Sequence, residues 1–325
     1  MDELERRIRA ANPGSIRRGD PLSARAERGL KEILADGPEE TGLPVRQWRR
    51  PVFVSVAAAV LVFIMAVSVF LIAMPRAAMA APPLLELTPV AGSVSSALER
   101  IIMNAQTAPA SSSSASIASE TWSADLTLDP AKSETFVQPR EIVRTRSESL
   151  GGEIIITAGP IRWGSITTKE HPPAPGTELE HQVFEHGQFP LLFTQPPPSN
   201  PLEMKAYFAR FLGTNATTTT GEYFRGISDL RNEWTLSGTQ SAALLTFIQG
   251  LPDVELSGET LDRLGRPGLV LSTNSRTGGA FSDLLVVDQN TGVLLAAEQV
   301  YLGGLTDVHL KAPTVLDYIA WKESN

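Results

Sequence analysis

The sequence predicts an α+β fold: a curved antiparallel sheet with helices packed on one side, set behind one transmembrane helix and a short helical cytoplasmic segment. Three observations predict it. An uncharged run, PVFVSVAAAVLVFIMAVSVFLIAM, fills residues 51–74. Beyond it, short segments of alternating apolar and polar residues follow one another between turn signals. Near the end, Gln289-Asn290-Thr291-Gly292 separates two apolar runs, a hairpin signal, and hairpins in series make an antiparallel meander.

The apolar run divides the chain. Its 24 positions carry no charge, and Ser55 and Ser68 are its only hydroxyls. As a helix it is about 36 Å long, enough for a hydrocarbon layer of about 30 Å with some tilt. A cleaved signal is the rival reading, and Ala78-Met79-Ala80 offers a small-residue cleavage site. The apolar core exceeds a signal's usual length, and some fifty residues precede it, so an anchor in the lipid bilayer is expected. Arg46, Arg49 and Arg50 precede the run, whereas Arg76 alone follows closely. Basic flanks stay on the cytoplasmic side, and Trp48 suits headgroup depth. The expected localisation is the cell membrane, single-pass, with the N-terminus cytoplasmic. The expected organisation is a cytoplasmic segment at 1–50, a span at 51–74, a linker at 75–92 and an extracytoplasmic domain at 93–325.

Charge follows the same division. Of 28 basic and 36 acidic residues, 11 and 9 lie in residues 1–50, which leaves 17 and 27 beyond them, a net charge of −10. An acidic outer domain is poorly suited to nucleic acid, whose phosphates need cations. The chain has no cysteine, so disulfides, thiolate zinc sites, iron–sulfur clusters and thiol catalysis are all excluded.

In the first segment, Asp20 is a candidate N-cap, Pro21 fits the first helical position and Gly37 a stop, so a helix is expected over 21–36. Leu22, Leu30, Ile33 and Leu34, with Ala26, make one apolar face. A lone helix of this length is marginal in water. Its face needs the other short helix, the membrane surface or a partner, and Leu22, Leu30, Ile33 and Leu34 are the candidate partner-binding residues. An inert spacer stays open beside a partner-binding helix.

In the outer part, Ser93 caps an expected helix to Gln106, with Val94, Ala97, Leu98, Ile101, Ile102 and Ala105 on one face. Residues 109–119 are Ser- and Ala-rich and read as a loop. Strands are expected at 121–128, 136–146, 153–158 and 161–168. A Pro-rich excursion follows from His171 to Asn200. Helices are expected at 201–212, 221–232 and 239–249, then strands at 253–264, 269–273, 283–288, 293–301 and 315–321. Alternation implies one buried face, covered by the helices at 94–106 and 239–249.

Candidate chemistry is sparse. His171, His181 and His186 are interleaved with Glu170, Glu178, Glu180 and Glu185, a set able in principle to hold a divalent ion. The five-residue step from His181 to His186 does not align ligands on a helix, so a solvated loop is the plainer reading. There is no Gly-x-Ser-x-Gly elbow and no phosphate loop. Asp288 is expected to shape the hairpin turn, and Asp283 to face the other way. No catalytic residue, metal site or cofactor is expected, and the chain does not read as an enzyme.

The stretches LLTFIQGLPDVELSGETLDRLGRPGLVLS and LLVVDQNTGVLLAAEQV, with the opening DELERRIRAANP and the DPLSARAERGL helix, resemble a family of uncharacterised actinobacterial single-pass membrane proteins. That family is similar in layout to membrane-bound anti-sigma factors. The hairpin pattern of its outer domain resembles the lipoprotein-carrier (LolA-like) fold. The resemblance implies a half-barrel sheet able to enclose an apolar ligand or peptide, and a cytoplasmic protein partner such as a sigma factor. The His-x-x-x-Cys-x-x-Cys motif of the common anti-sigma domain is missing here, since the chain has no cysteine. Two functions stay open: a membrane-anchored sensor or regulator that binds a ligand outside and a partner inside, and a tethered lipid or lipoprotein carrier or scaffold with no inner partner.

Overall fold

The computed structural model describes residues 80–108, 116–124, 135–167, 171–215, 217–306 and 310–322, all within the unit Pro75–Asn325. The segment 1–50 and the run 51–74, with Leu22, Leu30, Ile33, Leu34, Arg46, Trp48, Arg49 and Arg50, lie outside the described residues. Among the described residues no helix is long and apolar enough to cross a membrane.

Among the described residues, eleven strands and four α-helices alternate in blocks. Helix α1 (Val94–Thr107) comes first, then β1 (Ser116–Ser123), β2 (Phe136–Val137), β3 (Arg140–Arg146), β4 (Gly152–Ala158), β5 (Trp163–Gly164) and β6 (Glu178–Phe184). Three helices follow: α2 (Pro201–Leu212), α3 (Thr220–Glu233) and α4 (Gly238–Gln249). The chain then runs through β7 (Glu255–Leu261), β8 (Pro267–Thr273), β9 (Phe281–Val287), β10 (Leu294–Tyr301) and β11 (Thr314–Trp321).

Each helix starts where its sequence supplies a cap. Ser93 and Ser96, Thr219 and Glu222, and Ser237 and Gln240 form reciprocal capping boxes on α1, α3 and α4. Asn200 caps α2, Pro201 opens it and Gly213 ends it in the left-handed conformation. Each cap satisfies otherwise orphaned amides and is worth about 1 kcal/mol. The close approach of α4 to α1 depends on Gly238, where a Cβ would lie 2.2 Å from the Ala105 carbonyl oxygen.

Nine strands form one open, curled antiparallel sheet in the order β6-β4-β3-β1-β11-β10-β9-β8-β7. The two remaining short strands, β2 and β5, pair with each other. The expected hairpin joins β9 to β10. Asp288 Oδ1 accepts the Asn290 and Thr291 amides at 2.7 and 2.8 Å, an Asx turn. Gly292 then adopts φ 69°, where a Cβ would lie 2.6 Å from Ala105 Cβ.

On one face of the sheet, Leu98, Ile101, Phe208, Phe224, Leu244 and Ile248 from the helices meet Leu271, Leu285, Val287 and Trp321 from the strands. Phe193, Tyr207, Phe208 and Phe211 interlock there at centroid distances of 4.9–6.1 Å. The expectation of a single buried face is corrected by the opposite side. There, Trp122, Val270, Val286, Leu295, Val315 and Tyr318 form a second core, covered by Ala80, Ala81, Leu85 and Trp163. The strands β8 to β11 therefore bury both faces, and β10 is buried at all eight positions. Residues 80–88 also seal the β7 edge, where Thr88 and Glu259 exchange two backbone hydrogen bonds of 2.8 Å.

The other differences are local. The strand expected at 121–128 instead begins at Ser116, inside the Ser-rich stretch, and ends at Ser123. Pro139 divides the strand expected at 136–146 into two. Of 161–168, only Trp163–Gly164 is strand. The Pro-rich excursion contains β6, which sequence periodicity did not reveal.

Candidate functional site

Two regions stand apart from the filled centre. The first is the wing formed by β3, β4 and β6. Val143, Ile155 and His181 are cross-strand neighbours on the face away from the helices, and Ile142, Ile156 and Glu180 on the face toward them. Burial falls outward across the wing: β3 and β4 are mostly half-buried, and β6 is exposed at six of its seven positions. Ile142, Val143, Ile154, Ile155 and Ile156 belong to neither core. Leu179 and Val183 on β6 are 42% and 73% exposed. β6 ends the sheet order, so one side of its backbone has no neighbouring strand among the described residues.

The wing's inner row meets the end of α3. The Arg146 guanidinium lies 4.2 Å over the Trp234 ring and donates to the Glu233 carbonyl at 3.3 Å. Arg231, only 7% exposed, lies 5.6 Å over Trp321. Burial pulls Arg231 down to about 10, so it is still a cation at neutral pH. These arginines lie where the helix presents unsatisfied carbonyls and partial negative charge. The Glu233 carboxylate accepts the Leu192 and Phe193 amides at 2.8 Å each. Burial raises its proton affinity, and those two bonds oppose the rise.

The second region is a cleft of about 490 Å³ between the end of α2 and α3. Glu222, Arg225, Gly226 and Asp229 line it from one face of α3, and Arg276 from the β8–β9 connection. Gly226 lets the helices close: a Cβ there would lie 2.2 Å from Leu212 Cδ1. Both arginines are committed elsewhere. Arg225 donates to Asp317 at 2.9 and 3.2 Å, and Arg276 grips Asp283 at 2.7 Å through two nitrogens. Burial raises the Asp283 carboxyl, with Arg276 opposing. Glu222 is held low by the Thr219 amide and hydroxyl.

A third polar group sits on the opposite face of the sheet. Arg263 binds Glu298 bidentately at 2.7 and 2.8 Å, with side chains 5% and 1% exposed. Glu120 accepts from Arg162 at 2.5 Å and from the Tyr318 hydroxyl at 3.0 Å. These charges are matched one for one and closed to solvent on the acid side, which makes the group structural.

No protein-family model matches the chain, and no curated protein matches it significantly. Two solved structures are distant neighbours. The Pseudomonas aeruginosa MucA/MucB complex shares 13% identity, with a TM-score of 0.25, over 70% of this chain and 55% of that one. The LolA superfamily protein NE2245 from Nitrosomonas europaea shares 12% identity, with a TM-score of 0.18, over 72% of this chain and 93% of that one. The chain thus spans about half the length of the MucA/MucB chain it matches. Overlaps this low assign neither a fold family nor a function.

Of the sequence candidates, the structure separates the histidines. His181 lies on the exposed edge strand β6, its Nε2 3.0 Å from Glu153 Oε2. His171 and His186 lie in loops on either side of that strand. Among the described residues no group of three His, Cys, Asp or Glu side chains is placed to hold a metal ion. Asp283 and Asp288 serve an ion pair and a turn. Arg266 pairs with Asp262 at 2.5 Å and donates to the Leu295 carbonyl at 2.9 Å. The cleft escaped sequence reasoning because its residues come from three separate segments. Only the spacing of Glu222, Arg225, Gly226 and Asp229 on one helical face hinted at it.

Proposed function

We propose that the chain is a membrane-anchored extracytoplasmic sensor or regulatory protein whose outer domain binds an extended, basic peptide segment along the β3–β4–β6 wing. The observation that carries this reading is the unfinished edge: among the described residues β6 presents a strand side with no neighbour, next to aliphatic side chains that join neither core. An added strand would gain main-chain hydrogen bonds there and cover Leu179 and Val183. Glu178, Glu180 and Glu153 favour a cationic segment. Charged edge residues also discourage indiscriminate pairing, so the site selects by charge as well as by shape. The peptide reading is preferred to an enclosed lipid of the carrier kind, because interlocked aromatic rings occupy the helix–sheet interface.

In this reading residues 51–74 anchor the chain, with Arg46, Trp48, Arg49 and Arg50 at the inner surface. The helix at 21–36 offers Leu22, Leu30, Ile33 and Leu34 to a cytoplasmic protein, a sigma factor or another regulator. Ligand outside and partner inside make it a regulator rather than an enzyme.

The outer half is tested by hydrogen exchange on the full chain with and without a peptide of alternating valine and lysine. Amides of Glu178–Phe184 gain protection if the strand is completed, and proline replacements at Glu180, His181 and Gln182 remove the gain wherever the N–H points outward. Unchanged exchange at saturating peptide refutes it. The inner half is tested by capture from cytosol with the full chain beside L30S/I33S/L34S; retention of the same proteins by both refutes it.

A further inference from the structure

The end of α3 and the inner face of the wing share a surplus that the free edge does not explain. Among the described residues five buried side-chain atoms have no hydrogen-bond partner, and four of them lie here: Ser119 Oγ, Arg144 Nη1, Arg231 Nε and Thr235 Oγ1. The register brings them together. Ser119 on β1 stands between Trp321 and Ile142. Arg144 lies one inward-facing position further along β3, between Ile117 and Ile154. Arg231 lies over the Trp321 ring, and Arg146 over Trp234, the residue before Thr235. A buried polar atom without a partner needs a reason, and four in one patch need a common one.

The charge there has one sign. Arg144 makes no hydrogen bond and no ion pair among the described residues. Arg146 and Arg231 each reach one carbonyl at the helix end, of Glu233 at 3.3 Å and of Trp234 at 3.5 Å. Most of their N–H groups are left over. The carboxylate that acts on Arg144 and Arg146 is Glu233, and the Leu192 and Phe193 amides already hold both its oxygens. Glu180 faces the same way from β6, two strands out from Arg144, where it accepts from Gln182. At the junction itself three guanidiniums against one carboxylate leave a net charge of +2. Burial lowers the proton affinity of all three, with Glu233 opposing for Arg144 and Arg146 and Arg266 adding to the fall for Arg231. A guanidinium does not shed its proton in response. Water would satisfy the hydroxyls and leave the cations unbalanced. The patch is not sealed: Arg144, Arg146, Ile142, Ile154 and Ile156 all keep part of their surface in solvent. What it lacks is a group with several acceptors and a negative charge.

We propose that the junction between the wing's inner face and the end of α3 binds an oxyanion, a free phosphate or the carboxylate of a small ligand, with Arg144 as its counter-ion. Arg146 and Arg231 add charge beside it, and the apolar part of a carboxylate ligand covers Ile142, Ile154 and Ile156. The site uses side chains on the face toward the helices, not the backbone edge of β6. It is therefore independent of an added strand.

The test is calorimetric titration of the purified full chain, at constant ionic strength in chloride, with inorganic phosphate, N-acetylleucine and N-acetylleucine amide. The amide has the shape of the acid without its charge. Tighter binding of phosphate supports the proposal with a free phosphate as the source. Tighter binding of N-acetylleucine supports it with a carboxylate ligand as the source. Arg144→Met keeps the aliphatic stem and removes the charge. It should weaken whichever anion binds by roughly tenfold or more, about the value of a hydrogen bond to a charged group. Lys205→Gln, on the exposed side of α2, should leave binding unchanged. Because Arg144 has no partner in the fold, Arg144→Met should melt no lower than the parent, so lost binding is not lost structure. Binding of the amide as tight as that of the acid, unaltered binding to Arg144→Met, a lower melting point for that variant without anion, or no saturable binding of either anion at millimolar concentration overturns it.

Discussion

Removing one member of the Arg263–Glu298 pair should be among the most damaging single changes in the domain. The two side chains are 5% and 1% exposed and share two hydrogen bonds of 2.7 and 2.8 Å. With charge centres about 4 Å apart and an effective dielectric near 20, opposite charges attract by about 4 kcal/mol. Most of that attraction offsets the cost of burying the charges, so the pair itself adds little. Its breakage is different. In Glu298→Ala the guanidinium stays between Trp163 and Tyr318, each centroid 5.5 Å away. Those rings return about 1 kcal/mol, against a penalty of about 3–5 kcal/mol for a buried charge without its partner. A net loss of about 2–4 kcal/mol is expected, a large share of the 5–15 kcal/mol that holds a domain together. Replacing both, Arg263→Met with Glu298→Leu, should recover most of the loss because no charge is then stranded. The assay is urea unfolding followed by tryptophan fluorescence, where Trp163 reports from the site, analysed as a double-mutant cycle. A single variant costing under about 1 kcal/mol, or a double variant as unstable as the sum of the singles, refutes the reasoning.

Other expectations are briefer. Asp229→Asn should stabilise most above the raised folded pKa of Asp229, where the parent carries an ill-placed charge. The advantage should fade as pH falls through that pKa and vanish below the unfolded value of about 3.9, where both states hold the proton; thermal melts across pH read it. Gly292→Ala should cost about 1–3 kcal/mol, since φ is 69° and the new methyl meets Ala105 at 2.6 Å; urea midpoints check it. Gly238→Ala should push α4 off α1, because the obstacle at 2.2 Å is a backbone oxygen, and lost near-ultraviolet dichroism would register it.

The helices and the C-terminal hairpins were legible because their signals are local. Ser93, Pro201, Gly213, Asp288 and Gly292 each act on residues within one turn of themselves. The start of β1 was not legible, since Ser116 to Ser119 have weak strand propensity and become strand by lying between β11 and β3. The charged strand β6 shows no buried alternation for the same reason: it is an edge. Burial of both faces depends on residues 80–85 arriving from far away in sequence. The pairs Arg263–Glu298, Arg162–Glu120 and Arg225–Asp317 were invisible because their partners are 35, 42 and 92 residues apart.

The order of the sheet sets a timetable. β11 lies between β1 and β10, so within the nine-stranded sheet it joins the wing strands to the block from β7 to β10. Without β11, two partial sheets would face one another with unpaired edges at β1 and β10. A chain shortened before Thr314 would lose the seam of the domain and not merely its final strand. Such a chain would present an exposed central edge rather than a slightly smaller sheet. The sheet is therefore complete only when Thr314–Trp321 pairs on both of its sides.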